Sequence, residues 1–175
     1  MKINNITQLI ELAKTGNTTA EVQLAYEYTK GQNIAKDLVK AFKLYELAAY
    51  EGNLTALFNL AQFYLNGIAD VNGKPIIAKN PQMAISLLTQ CANSGDLEAH
   101  YFLGLEYQKS PNLNYALAIE RLEYCAQHEL GKAQYELALI YLTIQPDLAK
   151  AKILLNKALT HKIVGAQELL DSLNS

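Results

Sequence analysis

The sequence has little net charge, no long apolar run and only two cysteines, and these absences exclude several functions. The formal net charge is −2 and no basic stripe occurs, so the chain lacks the electrostatic footprint of a nucleic-acid binder. No run of 18 apolar residues is present, which argues against membrane insertion. The first residues lack the apolar core of a secretory signal, and we therefore expect a cytoplasmic protein.

The chain does contain a repeating pattern of small and large apolar residues. The motif Ala-x3-Leu-(Ala/Gly)-x2-Tyr begins at Ala20, Ala56, Ala99 and Ala133, and Ala166 begins a shortened copy. These alanines are 36, 43, 34 and 33 residues apart. Self-similarity at such a period is typical of a solenoid of helix pairs. The sequence therefore predicts an all-α solenoid that works through its surface.

A second pattern marks the second helix of each pair. It combines small residues with one large apolar residue between them, and an Asp or Asn stands four residues before the first small residue. The small residues are Ala41, Ala84, Ala118, Ala151 and then Ala48, Cys91, Cys125, Ala158; the large ones are Tyr45, Leu88, Leu122 and Leu155; the Asp and Asn residues are Asp37, Asn80, Asn114 and Asp147. Because Asp and Asn accept hydrogen bonds from free helix N–H groups, we expect each to cap a second helix.

Glycines mark the ends of the earlier helices. Gly16, Gly52 and Gly95 each stand four residues before an opening alanine, where a left-handed residue would end the preceding helix. Glu129 and Lys162 occupy the same register in the last two repeats. There we expect the helices to end slightly later, at Gly131 and Gly165.

These patterns together predict about ten helices in a single repeat domain. The helices are expected near residues 5–16, 19–31, 37–51, 55–67, 80–94, 98–109, 114–128, 132–144, 147–161 and 165–173. The domain comprises an N-terminal half-repeat (5–16), four repeats (20–55, 56–98, 99–132 and 133–165) and a C-terminal cap (166–175). The second repeat is longer because of an inserted loop near 68–80, with a turn over residues 71–75.

The motifs resemble those of the Sel-one-like repeat, a relative of the tetratricopeptide repeat. The first repeat has the fullest pattern, with Ala20, Leu24, Ala25, Tyr28, Gly31, Asp37, Lys40, Ala41, Tyr45, Ala48, Ala49 and Gly52. The resemblance implies a bacterial protein with a right-handed solenoid of antiparallel helix pairs. It also implies a non-enzymatic adaptor that binds another protein or peptide. Some bacterial members resemble immunity or inhibitor proteins that neutralise one toxin or enzyme, which is the alternative.

Positions three, seven and ten of each first helix turn away from the packed alanine face on a helical wheel. In proteins of this family that side lines the concave surface. Most residues there are aromatic or aliphatic, and such side chains anchor protein partners. Thr29 shares this register, and we call the other eleven residues the predicted binding face: Val22, Tyr26, Phe58, Gln62, Leu65, Tyr101, Leu105, Gln108, Tyr135, Leu139 and Leu142. Phe58, Tyr101, Leu105 and Tyr135 are the expected anchors.

Two alternatives to a partner-binding face follow from the same pattern. Stacking of neighbouring repeats can bury these side chains, because it creates a continuous core. The apolar strip can also form a homodimer interface.

Residues with catalytic chemistry are few and are not arranged as a site. Cys91 and Cys125 occupy positions that other repeats fill with alanine, and a buried structural role is expected for both. Cys125 and His128 form the one thiol–imidazole pair close in sequence, and we expect a buried thiol beside a surface imidazole. No phosphate-binding loop, nucleophile elbow or His-Glu-x-x-His motif occurs. The sequence therefore predicts no enzyme activity, no cofactor and no metal.

Overall fold

The computed structural model describes residues 6–70 and 72–173, and these residues form an all-α solenoid, as predicted. They contain ten helices and one two-stranded sheet. The elements are α1 (Ile6–Lys14), α2 (Thr18–Lys30), α3 (Leu38–Tyr50), α4 (Leu54–Asn66), β1 (Ile68–Ala69), β2 (Pro75–Ile77), α5 (Pro81–Asn93), α6 (Leu97–Glu106), α7 (Tyr115–Gln127), α8 (Gly131–Thr143), α9 (Leu148–Thr160) and α10 (Ala166–Ser172). Asn5, Val71 and residues 174–175, which belong to predicted elements, lie outside the described residues.

The chain divides into two compact units, Met1–Ser94 and Gly95–Ser175. In the first unit α1 packs on α2, α2 on α3, α3 on α4 and α4 on α5. In the second unit α6 packs on α7, α7 on α8, α8 on α9 and α9 on α10. Within each unit, consecutive helices therefore pack against one another, which is the arrangement expected of stacked helix pairs.

The alanine pattern forms the packed face in both units. Ala20, Ala56, Ala99, Ala133 and Ala166 have no exposed surface. The large residues of the second helices are equally enclosed, with Leu88, Leu122 and Leu155 at 0% exposure and Tyr45 at 1%. Alternation of alanine with one large side chain allows two helices to approach closely and still exclude voids.

The residues predicted to cap the second helices do so with their side chains. Asp37 accepts a hydrogen bond from the Lys40 N–H, and Asn80, Asn114 and Asp147 accept the equivalent bond three residues along. Three of the first helices begin with the same kind of side-chain cap, which was not predicted from the sequence. There the caps are Asn17, Asn53 and Asp96, which accept from Ala20, Ala56 and Ala99.

The predicted helix ends are correct for the early repeats and wrong for the last two. Gly16, Gly52 and Gly95 have φ angles of 77°, 79° and 86°. Glu129 and Lys162 adopt the same left-handed conformation, with φ of 59° and 56°, although neither is glycine. Gly131 instead begins α8, and Gly165 directly precedes α10. The repeat register thus outweighs the local preference for glycine.

The carboxylate of Glu129 is bonded in this strained position. It lies 3.3 Å from Gln134 Nε2, which donates to it, and 3.5 Å from His161 Nε2. These groups lower the pKa of Glu129, His161 contributing most. The side-chain bonds compensate in part for the cost of a left-handed backbone.

The insertion in the second repeat is a short hairpin and not an irregular loop. Strands β1 and β2 pair antiparallel, and the side chain of Ile68 in β1 is buried. The predicted turn is present: Asp70 N–H donates to the Lys74 carbonyl at 2.9 Å, and the Asp70 carboxylate accepts from the N–H groups of Asn72 and Lys74. An Asx-type turn of this kind brings the flanking residues together.

The tyrosines at position nine are not equally buried. Tyr141 is buried at 6% exposure, and its hydroxyl donates to Glu123 at 3.0 Å. Tyr28, Tyr64 and Tyr107 are half-buried at the edge of the packed face. The predicted core position therefore holds fully for Tyr141 alone among these four.

Candidate protein-binding site

In the unit Met1–Ser94, the predicted binding face stays accessible along α2 and α4. Tyr26 is 51% exposed, and Lys30 lies one turn further along α2 with its Nζ 5.4 Å from the centre of the Tyr26 ring. The other four members in this unit are half-buried: Val22, Phe58, Gln62 and Leu65. None of the five is fully buried in the core, so each retains surface that a partner can cover.

A cleft of about 220 Å³ lies against this face. Gln62 of the predicted face lines it together with Thr29 of α2, and the apolar side chains of Leu38 and Phe63 contribute to its wall. Its remaining lining residues are Asn59, Asn66 and Gly67, which the sequence analysis missed. The signal was present, because Asn59, Gln62 and Asn66 recur at helical spacing along one side of α4.

In the unit Gly95–Ser175, the predicted face is largely used for packing. Tyr101 was expected to be an exposed anchor, but it is 9% exposed and belongs to the core cluster that contains Leu122 and Leu137. Lys132 further covers the ring, with its Nζ 5.3 Å from the ring centre. Substitution of Tyr101 would therefore test stability more than binding.

The remaining members of the face in this unit are half-buried. Leu105 packs against the same cluster as Tyr101, and Leu142 packs against both that cluster and the one formed by Ala166 and Leu170. Tyr135 also contacts the latter cluster. Gln108 and Leu139 are half-buried as well. Within this unit the helices pack as the stacking alternative predicted, because α6 and α8 share one core.

Two larger clefts lie in the same unit but away from the predicted face. One of about 310 Å³ has apolar walls that include Tyr141, Ile153 and Leu154. The other, of about 430 Å³, is lined by residues that include Arg121 and Tyr124. Neither cleft contains a member of the predicted binding face.

His100, His128 and Cys125 make ring-stacking and hydrogen-bond contacts with neighbouring residues. His100 stacks on Tyr124 at 4.1 Å, and the ring of Tyr124 lies 4.4 Å from that of His128. The thiol of Cys125 points elsewhere and donates to the Leu97 carbonyl at 3.4 Å. In the described part of the chain, no cluster of His, Cys, Asp and Glu could hold a metal ion. Residues 6–70 and 72–173 also include no helix with the length and apolar character needed to span a membrane.

Both thiols are expected to resist modification in the folded protein. Cys91 and Cys125 have no exposed surface, and burial raises the pKa of Cys125 to about 12. Because thiol reagents attack the thiolate, we expect no colour with Ellman's reagent at pH 8 and two reactive thiols after unfolding in urea. Rapid reaction of the native protein would show that these residues are accessible.

Comparison with known proteins places the chain in a family. The profile of the Sel1 repeat matches residues 18–53, 54–96, 97–120 and 126–161. A comparison with curated proteins gives no match.

Solved structures share the fold. A protective antigen present in uropathogenic Escherichia coli strains, which displays an SLR fold, is 28% identical with a TM-score of 0.81. The match covers 96% of this chain and 36% of the antigen, so the chain spans about a third of that protein. A Sel1 repeat protein from Oxalobacter formigenes is 23% identical, with a TM-score of 0.80 over 97% of this chain and 67% of its own. An immunity protein from Pseudomonas aeruginosa is 18% identical, with a TM-score of 0.54 over 87% and 56%.

Sel1 repeats generally form non-catalytic scaffolds for protein–protein interaction. The family profile covers most of the chain, and the helix pairs described above follow the same register. The chain belongs to the Sel1 repeat family.

Proposed function

We propose that this protein binds another protein through the first helices of its repeats and performs no chemistry on it. The unit Met1–Ser94 contributes the main contact, through α2 and α4. The observation that supports this best is Tyr26, an aromatic side chain that is half exposed on a rigid helix one turn from the Thr29–Gln62 cleft. Aromatic side chains in such positions bury much area on binding and lose little rotamer freedom.

In the unit Gly95–Ser175, taken by itself, only the edges of the predicted binding face are accessible. Tyr135, Leu139 and Gln108 retain some exposed surface there, together with Leu105 and Leu142. Tyr101 is not available as an anchor, because its ring packs in the core cluster and Lys132 covers it. We therefore assign Tyr26 and Phe58, and not Tyr101, as the principal aromatic anchors.

Site-specific photo-crosslinking tests the proposal. A benzophenone amino acid replaces Tyr26 in one variant and Tyr50 in the other, and both are illuminated in the native host. Tyr50 is the matched control, because it is also a tyrosine, is 89% exposed and lies on the second helix α3. We expect a defined adduct with one other protein from position 26 and none from position 50. Equal labelling from both positions, or an adduct from position 50 alone, would overturn the assignment of the face.

The same experiment separates the alternatives. An adduct of twice the chain's own mass would indicate the homodimer and overturn binding of a different protein. An adduct with a toxin or enzyme whose activity falls on binding would identify an immunity or inhibitor protein. The likeness to the Pseudomonas aeruginosa immunity protein supports that candidate at the level of the fold.

A further inference from the structure

The cleft of about 310 Å³ described above has an apolar floor and lies away from the predicted binding face. Three helices line it. Leu137 and Tyr141 come from α8, Ala126 from α7, and Ile153 and Leu154 from α9. A volume of this size accepts at least one large apolar side chain of a partner.

Ile153 is an apolar residue in a position that the fold leaves in solvent. It is 59% exposed on the α9 side of the cleft. The same register is occupied by Lys43, Ser86 and Glu120 in the other second helices, and all three are exposed polar residues. Packing of the repeats therefore does not require a large apolar side chain here, and an exposed one beside a cleft indicates an interaction site.

Two lysines flank Ile153 along the same side of α9. Lys150 and Lys157 also line the cleft, one turn before and one turn after its apolar residues. At a rise of 1.5 Å per residue, these two lysines are separated by about 10.5 Å along the helix. The α9 side of the cleft thus presents a positive charge, an apolar patch and a second positive charge in a row.

Both ammonium groups are available to a partner. Lys150 lies 3.6 Å from Asp147 and Lys157 lies 3.9 Å from Glu129, and both lysine side chains are more than half exposed. Ion pairs that are this long and this exposed contribute little, so they yield easily to a better-placed carboxylate. The Lys150 Nζ also lies 5.0 Å from the centre of the Tyr141 ring, which keeps its charge beside the cleft floor.

The α7 side of the cleft has the opposite character. Glu123 and Gln127 line it there, and the Glu123 carboxylate accepts a hydrogen bond from the Tyr141 hydroxyl at 3.0 Å. This carboxylate repels other carboxylates. Acidic side chains of a partner are therefore favoured along α9 and disfavoured along α7, which fixes the direction from which the partner approaches.

We propose that this cleft docks an α-helix of another protein that carries two carboxylates seven residues apart and a large aliphatic residue between them. A helix places residues i, i+3, i+4 and i+7 on one side, so such a partner matches the row on α9 with the same rise. The aliphatic residue enters the cleft beside Ile153, and the carboxylates pair with Lys150 and Lys157.

A second copy of this chain is a poor occupant. Glu129 and Glu136 are the only two acidic residues in the sequence that are seven positions apart. Glu129 precedes α8 and has a left-handed backbone, so the two do not share a helix face. The partner is therefore a different protein. This inference does not depend on the contact through α2 and α4, because none of its residues belongs to that face.

A synthetic helix tests the proposal on the full chain. The probe is a fluorescein-labelled, alanine-based peptide of about 18 residues, long enough to form a helix, with two glutamates seven residues apart and two leucines between them. We expect binding by fluorescence polarisation, and we expect added NaCl to weaken it because the ion pairs are exposed. The double variant Lys150→Glu with Lys157→Glu should bind the probe at least about tenfold more weakly. A peptide with lysines in place of the glutamates should bind this variant better than it binds the native protein.

The matched control is Lys40→Glu with Lys43→Glu. Lys40 has the register of Lys150 and forms the equivalent ion pair with Asp37, at 3.0 Å. The control changes the net charge equally but on α3, so affinity for the probe should change less than about twofold at physiological salt.

The variant Ile153→Ser examines the apolar contact without disturbing the fold. Serine occupies this register in the second repeat, at Ser86, and Ile153 is exposed, so the melting temperature should not change. Binding of the probe should weaken about tenfold, because the aliphatic contact is lost. No binding at about 1 mM probe, equal binding of the glutamate and lysine peptides, or insensitivity to Ile153→Ser would overturn the inference.

Discussion

Replacing Leu122 with alanine is expected to lower the free energy of unfolding by about 2–5 kcal/mol. Leu122 has no exposed surface and belongs to the core cluster that also contains Leu137 and Ile140. Its branched end lies so close to Gly104 that a Cβ there would be 2.7 Å from Leu122 Cγ. Removing the side chain leaves a cavity between α6 and α7, because neighbours packed this tightly on several sides cannot close it fully.

Urea denaturation followed by circular dichroism measures the effect. Leu113→Ala is the matched control, because Leu113 is 54% exposed and its truncation should change stability by less than about 0.5 kcal/mol. The total stability of a domain is about 5–15 kcal/mol, so the Leu122 variant should unfold at clearly lower urea concentration. Equal effects of the two substitutions would contradict the placement of Leu122 at the centre of the core.

The repeat register explains why so much of the fold was predictable. Asn80 and Asp147 are separated by two repeats, yet both cap a second helix with the same bond. Capping depends on the residue and the three that follow it, so the sequence contains all the information needed. The alanines behave likewise, because a small side chain repeated at a fixed register indicates the side on which a neighbouring helix approaches closely.

The features that were missed depend on contacts between elements. Nothing local distinguishes the hairpin formed by β1 and β2 from an irregular loop, because two short strands are defined by their pairing. Glu129 illustrates the same limit. Its left-handed backbone goes with bonds to Gln134 and His161, which lie on two other parts of the chain.

The exposure of residues on the predicted binding face could be inferred only in outline from the sequence, for a related reason. Tyr26 and Tyr101 both occupy outward positions on a first helix, yet one is 51% exposed and the other 9%. A helical wheel shows which way a residue points but not what lies there. The neighbouring helix supplies Lys132 and Leu137 around Tyr101, and this decides its role.

Gly131→Ala is the second substitution with a large expected effect on stability. We expect it to destabilise the protein, although alanine has a higher helix propensity than glycine. Glycine to alanine inside a helix ordinarily gains about 1 kcal/mol. A Cβ built on Gly131, however, would overlap the Cβ of His161 and lie 2.9 Å from its Cγ and 3.1 Å from Ile163 Cγ1. Because the obstructing atom is next to the backbone, it cannot rotate away. We expect Gly131→Ala to lower the free energy of unfolding by about 1–3 kcal/mol.

Measuring Gly131→Ala in variants of His161 identifies the cause of the loss of stability. His161→Ala removes the Cγ but keeps the obstructing Cβ, so Gly131→Ala should still lower the free energy of unfolding in that background. His161→Gly removes that atom, and the cost should fall in this background, as a double-mutant cycle in urea would measure. A stabilising Gly131→Ala would show that the start of α8 has room for a Cβ, and a loss of stability that is equal in all backgrounds would show that His161 is not its cause. The glycine is therefore explained by the close approach of the α9 C-terminus and not by the end of α7, where the sequence alone had placed its role.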